Sequence, residues 1–491
     1  MDQHAQDVEA LRQQLKDTTG HFSLQNHPHP SNITRSHEYK SHASKLNINH
    51  FNRILQIDPV ARRIIVEPRV TMEQLAKAAL EHGMMVPVIP EFKGITVGGA
   101  IMGGGLESAS HRFGLFSDNC LAYEVLLGNS TVIRATPNEH ADLFYGIVGS
   151  YGTLGVLLSI ELKLIPATPW VALRYLKFSS IGETLKYFEQ NLGSVSAPDF
   201  IEGLVFAPDH IKVIEGSFLQ QPETISATLL QQHPWSTWFY PHAKQAPDQH
   251  EDKIRLLDYL FRHDRGAFWI GAYGTHWSAI PHYLLESRFK LPTLAKFLPK
   301  FHSKNFKRLQ DPGLLFRLIW GWAMTSHQLY SWLHSNSEEW VANQFIIQDF
   351  CIPVENVESF VNTVFQEIGI FPLWLCPSST TKKPQILSPH FLPTTSPFFV
   401  NVGIYGISPT GKSPSELVHQ LEKWTKEASG RKVLYSYSYY TPEEFWTIYP
   451  QKEYDRLRQS YHADPWIKLD QKVLPHFSRN ARQFWGTSSV K

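Results

Sequence analysis

An α+β protein is what this sequence predicts. A glycine-punctuated domain spans residues 30–166 after an N-terminal helix and loop (1–29), and a larger α+β domain spans 167–491. Three observations carry the expectation. Five glycines fall between Gly98 and Gly105, a density that ordinary helix or strand does not tolerate without a reason. A second cluster, Gly149, Gly152 and Gly155, feeds a strand. From Trp170 strand-like pieces alternate with helical ones across loops rich in Gly, Pro and His, and the sequence Pro166-Ala167-Thr168-Pro169 marks the change.

Residues 5–17 have helical spacing, with Val8, Leu11 and Leu15 on one face. Residues 21–35, rich in His, Pro, Asn and Ser, read as loop, and 46–49 as a short strand. Runs 54–58 and 63–68 form a hairpin turning at Pro59. Thr71 caps a helix over 72–81, with Gln74 in capping-box position and His82-Gly83 as its stop. An extended segment, 86–90, leads into the glycines. Strands 122–127 and 131–135 meet at Gly128-Asn129-Ser130, a strong hairpin signal. A helical turn begins at 142–145, and 162–166 closes the unit. In the second part strands are expected at 204–206 and 210–214 and helices at 181–191, 355–369 and 416–428. The polar run 220–249 reads as a surface excursion, and Tyr435-Ser436-Tyr437-Ser438-Tyr439-Tyr440 alternates as a strand should.

Composition excludes several classes of function. Forty-six Lys and Arg against 45 Asp and Glu leave a net charge of +1, which argues against nucleic acid as a partner. Cys120, Cys351 and Cys376 are far apart, so neither a disulfide framework nor a zinc site is expected, and a reducing compartment fits. The polar N-terminus lacks a signal-peptide core, and no apolar run of roughly eighteen residues predicts a transmembrane helix. These features imply a cytoplasmic or peripherally membrane-associated protein. The apolar stretch 314–324, broken by Arg317, reads as a packed helix of the second domain, with contact to a membrane surface as the alternative. Aromatic residues, 13 % of the sequence and frequent after residue 235, point to a core or to a pocket for a large hydrophobic ligand.

A flavin dinucleotide would give the glycines a purpose. Its pyrophosphate needs convergent backbone N–H donors, and its ring needs a backbone edge free of side-chain bulk. Thr96-Val97-Gly98-Gly99 and Gly103-Gly104-Gly105 offer both, and Ser108, Ser110 and His111 add polar contacts. Neither the Rossmann fingerprint nor the Walker loop is present. On composition alone a glycine-rich bulged turn remains the alternative.

The order of parts is more specific. The glycine stretch, His111-Arg112-Phe113-Gly114, the hairpin, Asp142-Leu143-Phe144-Tyr145 and Gly149-Ser150-Tyr151-Gly152-Thr153-Leu154-Gly155 together resemble the PCMH-type FAD-binding domain of the vanillyl-alcohol-oxidase-like flavoproteins. Within that superfamily the protein is similar to the Δ24-sterol reductase (seladin/diminuto) family, through Pro90-Glu91, Ile101-Met102-Gly103, Glu107-Ser108 and Thr136-Pro137. The likeness continues at Leu373-Trp374-Leu375-Cys376-Pro377, Ile404-Tyr405-Gly406 and Glu443-Glu444-Phe445-Trp446, covering about residues 30 to 470.

This resemblance implies a two-subdomain FAD-binding domain followed by a substrate (cap) domain. It also implies reduction of a carbon–carbon double bond (Δ24) in a sterol tail, with NADPH as hydride source. The cofactor residues it implies run along the two glycine clusters. The first set is Pro90, Glu91, Thr96, Val97, Gly98, Gly99, Met102, Gly103, Gly105, Glu107, Ser108, Ser110, His111 and Gly114; the second is Gly149, Ser150, Gly152, Thr153, Leu154 and Gly155. The first pyrophosphate loop of the wider superfamily is glycine-rich, whereas here Arg35, Tyr39 and Lys40 substitute charge for backbone donors. Protonation of an unactivated alkene needs an acid, for which Tyr405, Tyr437 and Glu444 are the candidates. Glu444 also reads as an ordinary helix-start acid, and Asp349 and Cys351 read as structural. The membrane anchor that animal and plant members carry at their N-terminus has no counterpart here, and no residue suggests covalent flavin attachment. Two other readings stand beside the reductase: an FAD-dependent oxidase or dehydrogenase of a hydroxy acid or sugar, and a non-catalytic lipid-binding relative.

Overall fold

The computed structural model describes residues 3–17, 20–24, 32–35, 37–40, 43–193, 197–222, 233–273, 311–336, 338–380, 383–391 and 395–474. Two antiparallel sheets organise them. The first has five strands in the order Ile54–Asp58, Arg63–Val66, Val156–Lys163, Cys120–Leu126, Val132–Ala135, and contains both expected hairpins. Helix Gln3–Asp17 packs on this part through Val8, Leu11 and Leu15. His4 fixes its start by bonding Glu67 at 2.7 Å and Glu124 at 3.1 Å. Part of the expected loop at 21–35 is instead a strand: Phe22–Leu24 pairs in parallel with Ser44–Leu46, because Phe22 is buried against Trp466.

The capping box forms as expected. Thr71 Oγ1 accepts from Gln74 N at 3.2 Å, and Gln74 Oε1 accepts from Thr71 N at 2.9 Å, starting helix Met72–Leu80. The glycine stretch is not a bulged turn: Val97–Gly103 is an α-helix capped by Thr96 and ended by Gly104 in the left-handed region (φ 72°). Its other glycines are there for close approach. A Cβ on Gly98 would lie 2.9 Å from Pro68 Cβ, and one on Gly105 would lie 3.0 Å from Pro90 Cγ.

The second sheet has eight antiparallel strands in the order His250–Arg255, Trp170–Phe178, His210–Leu219, Phe200–Ala207, Leu373–Ser379, Phe398–Gly406, Ile346–Pro353, Arg431–Lys432. Helices Ile181–Asn191, Val354–Glu367 and Pro414–Glu427 cover one face, packing on Ile201, Phe350, Leu375, Val402 and Ile404. Period-two alternation sends the intervening residues to the other face, where Leu204, Trp374, Cys376 and Tyr405 join the core shared with the first sheet. The site is built on that face.

Two more sequence expectations are corrected. Within 220–249, the stretch Trp238 to Ala243 is core rather than surface, since Trp238 is buried against Gly266; residues 223–232 lie outside the described residues. The tyrosine–serine run 435–440 is not a strand. Its serines bond side chains instead of a ladder, Ser436 Oγ to Gln348 Oε1 at 2.7 Å and Ser438 Oγ to Glu422 Oε1 at 3.0 Å. Helix Leu314–Trp320, expected to be packed, rests on the core through the partly buried Phe316 and Trp320 and leaves its other apolar residues exposed. The C-terminal helices return to the first part of the protein: Tyr461 Oη donates to Asp142 Oδ1 at 2.5 Å, and Arg458 Nη1 to the Thr153 carbonyl at 2.8 Å.

Candidate functional site

The expected cofactor residues separate by what surrounds them. A Cβ on Gly103 would meet only Tyr151 Cε1, at 3.9 Å. One on Gly152 (φ 75°) would meet only Met102 Sδ at 3.6 Å and Lys472 Nζ at 3.8 Å. A Cβ at either position would make only ordinary van der Waals contacts, so close packing does not demand glycine at these two positions. Arg35 is buried beside them, its Nε donating to the Leu434 carbonyl (3.2 Å) and its Nη1 to that of Lys472 (2.8 Å). Its Nη2 has no partner among the described residues, and neither has the buried Ser150 Oγ. The Arg35 guanidinium lies 5.2 Å from the Tyr151 ring and 5.8 Å from that of Tyr39, over which Lys472 Nζ also sits, at 5.2 Å.

This is a pocket of like charge. Burial, then Arg35, Lys45 and Arg69, bring the Lys40 ammonium down to about 8. Burial, then Arg35 and Lys40, hold Lys472 well below its ordinary value. Gathering cations away from water is unfavourable unless an anion joins them. Three cations and an unpaired guanidinium nitrogen around a glycine-lined space therefore fit a pyrophosphate. Sequence spacing does not point to Lys472, from helix Leu469–Val473, because it lies beyond both glycine clusters.

Other expected cofactor residues are occupied otherwise. Cβ atoms on Gly149, Gly155 and Gly114 would run into Leu387, Val125 and Asp118, so these glycines shape loops. Val97 and Leu154 are core, Pro90 packs on Gly105, and Thr153 bonds the Ser150 carbonyl at 2.9 Å. Gly99 is exposed on its helix, with its N–H held by Thr96.

The tail of the stretch, where polar contacts to the cofactor are expected from His111 and its neighbours, ties the two sheets together. Arg262 donates to Glu107 at 2.6 Å and to Glu202 at 2.7 Å, while Glu202 also takes bonds from His263 (2.9 Å) and the Trp374 indole (2.8 Å). Ser108 Oγ meets Tyr259 Oη at 2.9 Å, and Ser110 Oγ accepts from Glu107 N at 2.9 Å. His111 lies between the carbonyls of Ser108 and Pro198, 2.9 Å from each. Burial pushes its pKa down, so the neutral ring donates to one of them. One guanidinium faces two carboxylates. Glu202, which also has His263, is held below the usual range, and burial leaves Glu107 above it.

A second cluster lies on the inner face of the large sheet. Asp349 and Tyr405 sit on adjacent strands, Asp349 paired with Gly403, whose missing side chain makes room for the Tyr405 ring. Tyr405 Oη donates to Asp349 Oδ1, Asn401 Nδ2 to the same oxygen and Tyr435 Oη to Oδ2, each at 2.7 Å. Burial raises the Asp349 carboxyl and, far more, the Tyr405 phenol. Glu91, half-buried, belongs to the same environment: burial, then Glu107 and Asp349, push it up to about 8. A row of buried aromatic rings packs against the cluster: Tyr330 meets Phe92 at 5.9 Å, Phe92 meets Phe268 at 5.8 Å, and Phe268 meets Tyr405 at 5.1 Å and Trp374 at 5.2 Å.

The structure therefore brings one of the three expected acids, Tyr405, into a proton-holding cluster. Glu444 instead completes a capping box, its carboxylate accepting from Thr441 N at 2.8 Å. The Tyr437 ring lines a small cleft with Thr34, Phe345 and Gln348, and its carbonyl accepts from Gln348 Nε2 and Lys432 Nζ. Asp349, expected to be structural, is the centre of the cluster. The sequence does carry a signal for it: a carboxylate in the apolar strand Ile346–Pro353 is costly unless partnered, and such residues concentrate at functional sites. Elsewhere His242, from helix Phe239–Gln245, clusters with His250 and Asp252 of the edge strand, with bonds of 2.6 Å and 3.3 Å to Asp252 satisfying its carboxylate.

Comparison with known proteins supplies the chemical context. An FAD-binding-domain family model matches residues 29–136. The protein is 27 % identical over 440 residues to the Delta(24)-sterol reductase of Homo sapiens, covering 86 % of this sequence and 76 % of that one. It is 29 % identical over 451 residues to the Delta(24)-sterol reductase of Arabidopsis thaliana, covering 85 % and 74 %. Over 117 residues it is 38 % identical to the decaprenylphosphoryl-beta-D-ribose oxidase of Mycolicibacterium smegmatis, covering 23 % and 25 %.

Proposed function

We infer that this Δ24-sterol-reductase-like protein is an FAD-dependent oxidoreductase. It reduces the Δ24 carbon–carbon double bond in the tail of a sterol, or the double bond of a related isoprenoid alkene, with NADPH as reductant. The observation that carries the reading is likeness to Delta(24)-sterol reductases over most of the sequence, beyond the cofactor domain alone. Residues 30–166 form the cofactor domain and 167–491 the substrate domain, with the C-terminal helices completing the first.

Flavin, when bound, would supply the hydride for one alkene carbon. The protein's own residues would do the rest. Arg35, Lys40 and Lys472 would hold the pyrophosphate near Gly103 and Gly152. Phe92, Phe268 and Trp374 give the hydrocarbon an apolar wall and exclude water. Tyr405, with Asp349 behind it, holds the proton the second carbon must receive, and Glu91 is a neutral acid available to resupply it below about pH 8. Positive charge developing on the alkene is stabilised by the facing aromatic rings.

The purified protein should be yellow, with the flavin band near ~450 nm expected of any bound flavin. Without air NADPH should bleach it, and a Δ24-unsaturated sterol should restore the colour. A preparation colourless even after FAD addition would end this reading. Recolouring by air alone after reduction by a sugar or hydroxy acid would replace it with the oxidase reading.

A further inference from the structure

We propose that His242, His250 and Asp252 form a binding site for one zinc ion, which pins the edge of the large sheet to the helix packed beside it. The site is separate from both polar pockets and independent of the reaction. His250 and Asp252 stand two residues apart on edge strand His250–Arg255, so both project from one face. His242 comes from the last turn of helix Phe239–Gln245. Gln249, in the left-handed region (φ 61°), turns the chain from that helix into the strand, its N–H held by the Tyr175 carbonyl at 2.8 Å. Two imidazole nitrogens and a carboxylate oxygen are thereby brought within 4.8 Å of one another. His242 Nε2 is 2.6 Å from Asp252 Oδ2 and His250 Nε2 is 3.3 Å from Oδ1, so both rings already turn the same nitrogen to the carboxylate. Zinc, with bonds of about 2.0–2.1 Å, spaces tetrahedral donors roughly 3.4 Å apart. The His250–Asp252 pair meets that spacing, and the His242–Asp252 pair meets it on opening by under about 1 Å.

Two observations point to a cation rather than to a triad complete in itself. The first is Tyr175, which lies directly across from His250 on the neighbouring strand. Its ring packs 5.7 Å from His242 and 5.9 Å from His250, and it is fully buried. Its Oη makes no hydrogen bond among the described residues, although it lies close enough to Asp252 for that carboxylate, after burial, to raise the phenol. A buried hydroxyl left so is costly. An ion that takes both imidazole nitrogens and one carboxylate oxygen frees the other oxygen to accept from Tyr175, the usual outer partner of a ligating carboxylate. The second is access. The Asp252 side chain is 2 % exposed, whereas those of His242 and His250 are 19 % and 37 % exposed, so a buried anion lies at the base of a site open to solvent. An ion can enter there and keep a water as fourth ligand. The donor set of two nitrogens and one oxygen suits zinc and is poor for magnesium or calcium, which prefer oxygen alone. The helix so pinned sets Phe239 against His263 (5.2 Å) and Tyr240 against Trp269 (6.1 Å), and Trp269 meets Tyr405 at 5.6 Å. Zinc would therefore brace, from outside, the layer of rings behind the acid cluster.

The test is zinc titration of the full-length protein, carrying no histidine tag and stripped with a chelator, read by competition with a chromophoric indicator and by melting temperature. Wild type should bind one zinc per chain and melt higher with it. His250→Ala removes the most exposed of the three ligands; it should fold, lose the zinc-dependent rise in melting temperature and bind at least ~100-fold more weakly. His242→Ala is a second variant with the same expectation. Tyr175→Phe should cost about tenfold in affinity, as loss of an outer partner does. His82→Ala, at an exposed histidine elsewhere, should bind as wild type. Magnesium or calcium in excess should not displace the zinc. A wild type that binds no zinc overturns the proposal. So does equal binding by wild type, His250→Ala and His242→Ala, or a loss in His82→Ala as large as theirs, since either means adventitious binding to surface histidines only. Displacement by magnesium or calcium overturns it as well.

Discussion

The two polar pockets are opposites. Around Gly103 and Gly152 three cations gather, and Arg35 lowers the pKa of both Lys40 and Lys472. On the inner face of the large sheet, Asp349 and Glu91 gather acids among phenols and rings, with Arg262 committed to Glu107 and Glu202. Buried like charge raises the free energy of the empty fold in both places, and each stores a different readiness: one for an anion, one for a proton. A cofactor with a pyrophosphate and a redox ring would use both, a pairing that neither glycine cluster offers alone.

The largest effect expected from breaking this contrast lies on the acid side. Tyr405→Phe or Asp349→Asn should slow reduction of the alkene by about 10²–10⁴-fold, the usual contribution of a positioned general acid. Flavin content should be unchanged. Stopped-flow recolouring of the reduced enzyme separates the two readouts, and a variant within threefold of wild type would remove the proton from this cluster.

Lys472→Met tests the basic side and should be smaller. Losing one charge-assisted contact of about 1.5–3 kcal/mol weakens flavin binding by roughly 10- to 100-fold. Turnover at saturating FAD should stay near wild type. If retention were unaffected and turnover collapsed, the two pockets would have exchanged roles.

How much of this is legible in the sequence follows from range. Local rules see what local physics decides: the Thr71 capping box, both hairpins of the first sheet and the three helices covering the second. They mark the glycines as special for the wrong reason, because the demand on Gly98 comes from Pro68, thirty residues away and invisible to spacing. Lys472 and Arg35 are 437 residues apart, and their meeting depends on the C-terminal helices folding back. Ser436 and Ser438 break a strand-like alternation because distant Gln348 and Glu422 offer better bonds. Motif order carries the resemblance, whereas the acid cluster, assembled from two strands and a loop, needs tertiary structure.

The subtlest test is pH, where both pockets respond near the same value with opposite readouts. Glu91 is raised from 4.5 to about 8, so its neutral form is favoured in the fold; its stabilising contribution is complete below 4.5 and is lost as pH rises through 8. As a proton source it fails over the same upper range, giving turnover a descending limb near pH 8 that Glu91→Gln abolishes at the cost of a few-fold in rate. Lys40 is lowered from 10.5 to about 8, so the empty protein has lost that charge above pH 8 and must take up a proton to receive an anion. Flavin affinity should therefore fall as pH rises above 8, by up to about tenfold per unit for one linked proton, and Lys40→Met should flatten that slope without touching the turnover limb. Glu91→Gln should do the reverse. If either substitution moved both slopes together, the anion and the proton would be handled by one coupled site, and the contrast between the pockets would fail.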